Sequence, residues 1–436
     1  MRLKTRAALA AAALTLPFLN GCGNDNANDG YVRIVNTTSE YASLDLYTQD
    51  SNGNDNILIS GTGAGKASAY EGLKKGSYTF DVKSSSSAGS PTPATGTITK
   101  DDHFAVITWL TGTTTKTQFL SEDETHPASG NAKLRVLNAA TSEAASVDVY
   151  VTKAACSALA GTDSPFASAV TGLQASFTQV TASTTAAPWN VCVYEAGDTS
   201  TLLLDIEGLV LKDQEVATLV LTHTSGGVLL NGALLDQQGA YTAYPSAIAR
   251  LRVVADAAAG AAVSVTVGGT SIASQQPSPS VADYTTVAAG TLSPTILFGS
   301  VSSSGYTLPA LTAGNDYTLL VAGNAGAPAV TLLTDTNTPS TNTTNSVKVR
   351  VVNGLNGVSG NVSATVDGKS VGSAAFGAAS GYTNIAPTSG TSDISAIVPG
   401  TAPADLTLKT FSAGSVNTIF IYGDTTAPKM VQAVDR

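Results

Sequence analysis

Apolar and polar positions alternate with a period of two along most of this chain. They do so in short stretches rich in Val, Ile, Thr and Tyr, separated by Gly, Asn, Asp and Ser, the pattern of half-buried strands joined by tight turns. Four stretches open alike: Tyr31-Val32-Arg33-Ile34-Val35-Asn36, Lys133-Leu134-Arg135-Val136-Leu137-Asn138, Arg250-Leu251-Arg252-Val253-Val254 and Lys348-Val349-Arg350-Val351-Val352-Asn353. Each predicts a strand with an Arg at the same place. A second alternating strand follows: Ser43-Leu44-Asp45-Leu46-Tyr47, Ser146-Val147-Asp148-Val149-Tyr150, Val263-Ser264-Val265-Thr266-Val267 and Ala364-Thr365-Val366-Asp367. Later in each repeat an aromatic precedes an apolar residue by three positions, at Tyr70 and Leu73, Phe177 and Val180, Tyr284 and Val287, Tyr382 and Ile385. Each repeat then closes on a strand that reads as buried, at residues 103–110, 217–222, 317–321 and 418–422. About seven short strands in roughly 100 residues fit a β-sandwich better than a solenoid, whose repeat is much shorter. The predicted fold is all-β: four tandem immunoglobulin-like β-sandwich modules at residues 31–125, 132–245, 249–335 and 347–436. Junctions are expected at residues 121–131, 237–249 and 334–346, the last, rich in Thr and Asn, being the clearest linker.

The first residues break the pattern. Met1 to Arg6 is short and basic, and Ala7 to Phe18 is an apolar run too short to span a bilayer comfortably, which predicts a signal peptide over residues 1–21. Leu19-Asn20-Gly21-Cys22 resembles the bacterial lipobox, so cleavage would leave Cys22 as a lipidated N-terminus, with residues 22–30 as a flexible tether. Several acyl chains make such an anchor durable where one would not. Gly23, rather than Asp, after the Cys favours the outer membrane by the usual sorting rule.

Composition narrows the chemistry. The chain has 436 residues, 43% hydrophobic and only 12% charged, with a net charge of -10. That balance argues against a nucleic-acid partner and against electrostatic attachment to anionic lipid. With Cys22 assigned to lipid, Cys156 and Cys192 are left as a disulfide pair, the expected state outside the reducing cytosol. No His lies between them and their spacing suits no zinc site.

Candidate catalytic patterns are weak. Gly368-Lys369-Ser370-Val371-Gly372 fits the nucleophile elbow of hydrolases, yet Asp367-Gly368 signals a hairpin, and His103, His126 and His223 all precede Ser370, against the chain order of that fold. Gly61-Thr62-Gly63-Ala64-Gly65-Lys66-Ala67 approaches a phosphate loop but is one residue short and lacks the Ser or Thr after Lys. Asp50-Ser51-Asn52-Gly53-Asn54-Asp55 offers oxygens as a calcium loop does, with the Gly misplaced and no Glu at the required spacing. Asp101-Asp102-His103 reads as a polar turn into Phe104. No catalytic, cofactor-binding or metal-binding set is predicted. Trp109, Trp189 and the Tyr residues are the natural glycan platform, although alternation places most on core faces.

The Val-Arg-Val-Val-Asn opening, the Val-Asp-Val-Tyr second strand, the Gly76-Ser77-Tyr78-Thr79-Phe80-Asp81-Val82 strand and the closing Thr418-Ile419-Phe420-Ile421-Tyr422-Gly423-Asp424 resemble the bacterial module called domain of unknown function 4397. The resemblance covers most of the chain after Gly30. The third repeat departs, with Ala255 and Asp256 where Asn is expected and no Asp in its second strand. It implies an envelope or secreted β-rich protein and imports no activity. The repeated Arg and Asp are expected to be polar pairs at an edge or between strands that fix register, with a binding role as the alternative. The functional expectation is a lipid-anchored, non-catalytic envelope protein for binding, adhesion or structural support, with an envelope protein or glycan as partner. The competing class is an envelope enzyme acting on polysaccharide or peptide at a module interface.

Overall fold

The computed structural model describes residues 29–38, 41–49, 53–84, 93–111, 114–159, 162–340, 342, 344–388, 390–400 and 404–436. The signal peptide, Cys22 and part of the 50–55 loop lie outside the described residues. Within them the regular structure is all strand, apart from two short 3-10 turns at Cys156–Ala158 and Ala258–Gly260. No helix among the described residues is long and apolar enough to cross a membrane.

Among the described residues the strands form eight sheets, two per repeat, giving four β-sandwich modules. In every module the opening strand runs parallel to the closing one: Asp29–Asn36 with His103–Thr111, Asn131–Asn138 with Val216–His223, Ile248–Ala257 with Asp316–Asn324, and Val347–Asn353 with Val416–Asp424. A hairpin then adds an antiparallel strand, Thr114–Ser121, Leu230–Asp236, Ala327–Asp335 or Ala427–Val434, and in the second module Tyr241–Tyr244 pairs beyond it. The Asp-bearing second strand sits inside the other sheet, as Ser43–Gln49 does between Asp55–Gly63 and Gly76–Ser84. Because side chains alternate across a strand, Val32 and Ile34 of the first opening strand enter their own module's core, beside Leu44, Leu46, Phe80 and Val106.

The other face of that sheet is not solvated. Val35, Ala105, Ile107 and Leu120 of the first module pack on Leu137, Ala139, Val220 and Leu235 of the second. Val254 and Leu320 of the third do the same with Val352, Phe420 and Tyr422 of the fourth. The modules therefore stand as two face-to-face pairs, each four sheets deep. This explains why the closing strands read as continuous apolar runs: they are buried on both faces, whereas a sheet with one wet face alternates.

The pairs also touch. The hairpin at Gly226 and Gly227 of the second module seats against Gly314, Asn315, Asn337 and Thr338, and Asn337 donates its backbone N–H to the Gly226 carbonyl at 2.9 Å. Part of the segment that the sequence marked as the clearest linker is thus packed, with Asp335 and Asn337 buried. In the second module, Cys156 and Cys192 are disulfide-bonded, with Cα atoms 5.4 Å apart.

Candidate functional site

The repeated Arg is the center of the most elaborate polar arrangement in the molecule. Each lies on the opening strand, which is interior to its sheet, and points to the same face as the Val or Leu two residues on, into the layer between paired modules. Arg33 and Arg252 are 2% exposed and Arg350 is 1% exposed. The expectation of edge pairing is corrected: these are buried charges, and only burial among partners makes them tolerable. The inter-strand part of the expectation stands in three repeats, where Nε donates to a Thr on the parallel neighbor, Arg135 to Thr218 at 3.0 Å, Arg252 to Thr318 at 2.9 Å and Arg350 to Thr418 at 3.0 Å.

The aromatic of each repeat lies over its guanidinium: Tyr70 at 5.0 Å from Arg33, Phe177 at 4.3 Å from Arg135, Tyr284 at 4.5 Å from Arg252 and Tyr382 at 5.0 Å from Arg350. A cation over a ring face is attracted by the ring quadrupole, more so when dry. The third partner is an acid that the sequence reading did not single out. It lies at or just past the end of the hairpin strand: Glu122, Asp236, Asp335 and Asp435. An acid at a largely apolar strand end in each repeat was the available signal.

In the second pair the acids are exchanged. Arg252 binds Asp435 of the fourth module at 2.5 Å, and Arg350 binds Asp335 of the third. Thr318 donates to Asp335 at 2.6 Å, Thr418 donates to Asp435, and the Tyr284 hydroxyl donates to Asp335 at 2.6 Å. Each Arg thus clamps the neighboring module, a pseudo-two-fold arrangement of charge-assisted bonds. Desolvation pushes the Asp435 carboxyl above its ordinary range, opposed by Arg252 and the Thr418 hydroxyl.

The first pair breaks the symmetry. Arg33 keeps Glu122 of its own module, with Nε donating to Oε2 at 2.8 Å, and it reaches the backbone carbonyls of Asp236 and Gly239 across the interface. The Asp236 carboxylate turns to Lys212, 3.2 Å away, and to Glu215, whose pKa is pushed up to about 7 by burial and the Asp236 charge. Arg135 is left with Thr218 and Phe177, and among the described residues no carboxylate lies within ion-pair distance of it. Burial lowers its pKa.

The remaining sequence candidates are structural. Asp45, Asp148 and Asp367 accept backbone N–H groups from Gly61, Ala169 and Asp393, holding turns beside their strands. Ser370 sits on a hairpin whose turn residues, Asp367 and Gly368, both have positive φ, the geometry of a type I′ turn. The 61–67 stretch is a tight turn between Asp55–Gly63 and Lys66–Ala67. His103 begins a strand, stacks on Tyr31 and lies 3.3 Å from Asp123. Trp109 packs in the layer between the first two modules, and Trp189 packs on the second core with its Nε1 donating to the Thr181 carbonyl. Among the described residues no group of three or more His, Cys, Asp and Glu is placed to hold a metal.

Among solved structures, the chain is similar to the fimbrial anchor protein Mfa2 from Porphyromonas gingivalis, at 9% identity and a TM-score of 0.17, over 50% of this chain and 99% of that one. It is also similar to a protein from Bacteroides uniformis described as a candidate cell adhesion protein, at 12% identity and a TM-score of 0.19, over 48% of this chain and 99% of that one. No curated protein matches it. The family described as "Domain of unknown function (DUF4397)" matches residues 30–150 and 249–356, in each case a whole module with opening residues of the next. Those two stretches make up more than half of the sequence, and the chain belongs to this family.

Proposed function

We propose that this chain is an exported, lipid-anchored envelope protein whose paired sandwiches form a stiff, non-catalytic body for binding, adhesion or structural support at the cell surface or in the periplasm. The observation that carries this reading is where the charged side chains go: buried Arg and acid residues join one module to the next. A body of this kind presents surface at a distance from its anchor. The lipobox-like Leu19-Asn20-Gly21-Cys22 and the Cys156–Cys192 disulfide support export to an oxidising compartment.

Protease shaving of intact cells tests it, with Cys22→Ala as the control for the anchor. Loss of the chain from intact cells, and its release from the membrane fraction in the variant, supports a surface role in adhesion or glycan binding. Protection until the outer membrane is opened supports periplasmic scaffolding. A chain that fractionates with the cytosol in both forms sinks the reading.

A further inference from the structure

Three of the four repeated guanidiniums are held by a carboxylate: Arg33 by Glu122, Arg252 by Asp435 and Arg350 by Asp335. The fourth, Arg135, is not, because Glu122 is taken by Arg33 and Tyr70 while the Asp236 carboxylate is turned to Lys212. The same repeat carries Phe177 where the other three carry Tyr, and in two of those the Tyr hydroxyl donates to the acid. Arg and ring therefore persist here without the acid and without the hydroxyl that would serve it. Arg135 is also only partly buried, and it lines a cleft of about 530 Å³ between the hairpin edge of the first module, at Gln118 and Ser121, and the 173–177 segment of the second, with Ser176 and Phe177.

We infer that this cleft between the first two modules binds a sugar acid through its single carboxylate, which takes at Arg135 the place an internal acid takes in the other three repeats. The inference rests on the reading of the chain as a binding protein of the envelope and deepens it by naming a ligand class. A guanidinium fork matches a carboxylate with two parallel bonds, and a partly dry setting strengthens them. The walls give the rest of the specificity. Gln118, Ser121 and Ser176 supply polar groups suited to hydroxyls. Asp123 and Glu124 also line the cleft; Asp123 is engaged by His103 and Gln238, and Glu124 by Lys133. Their charge, on a chain of net charge -10, opposes a polyanion and selects a ligand with one carboxylate.

The test is titration of the purified chain with sodium glucuronate, followed by calorimetry, with glucose as the neutral control and N-acetylglutamate amide as the peptide-like carboxylate. The expected result is saturable binding of glucuronate, at least about tenfold weaker for Arg135→Gln, the loss of one charge-assisted pair. Ser121→Glu places an acid at the cleft mouth and keeps the test decisive should Arg135→Gln misfold. It is expected to abolish glucuronate binding in a chain that melts no lower than the parent. Equal binding of glucose, or undiminished binding in both variants, overturns the assignment. Tighter binding of N-acetylglutamate amide than of glucuronate overturns the sugar and points to acidic peptide. Because the titration uses soluble protein, its failure leaves the shaving result standing, and a failed shaving leaves the titration standing.

Discussion

At the scale of single residues, one Arg position in four copies gives a built-in comparison. Removing Arg350 leaves Asp335 dry and negative with only hydroxyl donors and the more distant Arg252, whose Nη2 is 3.8 Å away. Arg350→Met is therefore expected to cost about 3 kcal/mol or more, the range for breaking a buried pair from one side. Arg135→Met strands no carboxylate and is expected within about 1 kcal/mol of neutral, since replacing an unpaired, partly buried charge by an apolar chain removes a desolvation cost. Chemical denaturation of the two variants measures both; equal costs would mean that the carboxylate is not what holds these side chains. Asp256 makes a pH argument. It is 5% exposed, Oδ1 accepts the Gly423 N–H at 2.9 Å, Oδ2 has no partner, and Tyr422 is the titratable group beside it. Burial lifts its pKa to about 7. The folded value lies above the unfolded one, so the native state holds the proton more tightly. Its contribution is full below about pH 4 and is lost as pH rises toward 7. Asp256→Asn is expected to flatten that part of the stability profile, read as the difference between parent and variant melts from pH 4 to 8.

At the scale of elements, the closing strands carry the clearest prediction. Ile419 faces the fourth module's own core and Phe420 faces the third module, yet both are essentially inaccessible. If the inter-module layer is a true core, Phe420→Ala costs about 3–5 kcal/mol, as a core truncation does, while Ile397→Ala on the exposed face stays within roughly 0.5 kcal/mol. Urea midpoints of the two variants decide it; a small loss for Phe420→Ala would make the layer a loose contact. The strands themselves were legible in the sequence because a period of two and turn residues are local signals, and the repeated Arg fixed their register from module to module. What the continuous apolar run could not tell was its second face. Burial against a neighboring strand layer and burial against a neighboring module leave the same residues in the same order, so residues 317–321 predicted a buried strand without predicting Phe420 and Val352 across from it. The acids were missed for a related reason: Asp335 ends its strand and Asp435 stands just past one, where a carboxylate ordinarily reads as solvated turn. Their exchange between modules is a property of three-dimensional pairing that spacing does not encode.

At the scale of the whole molecule, the question is whether two rigid pairs make one body. The joint between them is tight rather than extensive. A Cβ added at Gly227, which has φ +90°, would stand 2.3 Å from the Thr338 backbone N, and one added at Gly226 would stand 2.4 Å from the Gly314 carbonyl oxygen. Main chain meets main chain there, so no side-chain rotation can relieve the clash. From the fourth module, Arg436 crosses to the same hairpin, donating to the Gly227 and Ser142 carbonyls, with Glu143 3.7 Å away. The joint thus links the second module to both the third and the fourth, and none of its groups belongs to a hydrophobic core. Gly227→Val is expected to open it while leaving each pair's interior intact. Small-angle scattering would then show a larger radius of gyration, and calorimetry would resolve two transitions where the parent gives more nearly one. If the variant scatters like the parent, the two pairs are fixed by something other than this hairpin. If it loses all cooperative melting, the hairpin is part of the second module's fold and not a joint, because a joint alone can be opened without unfolding what it joins.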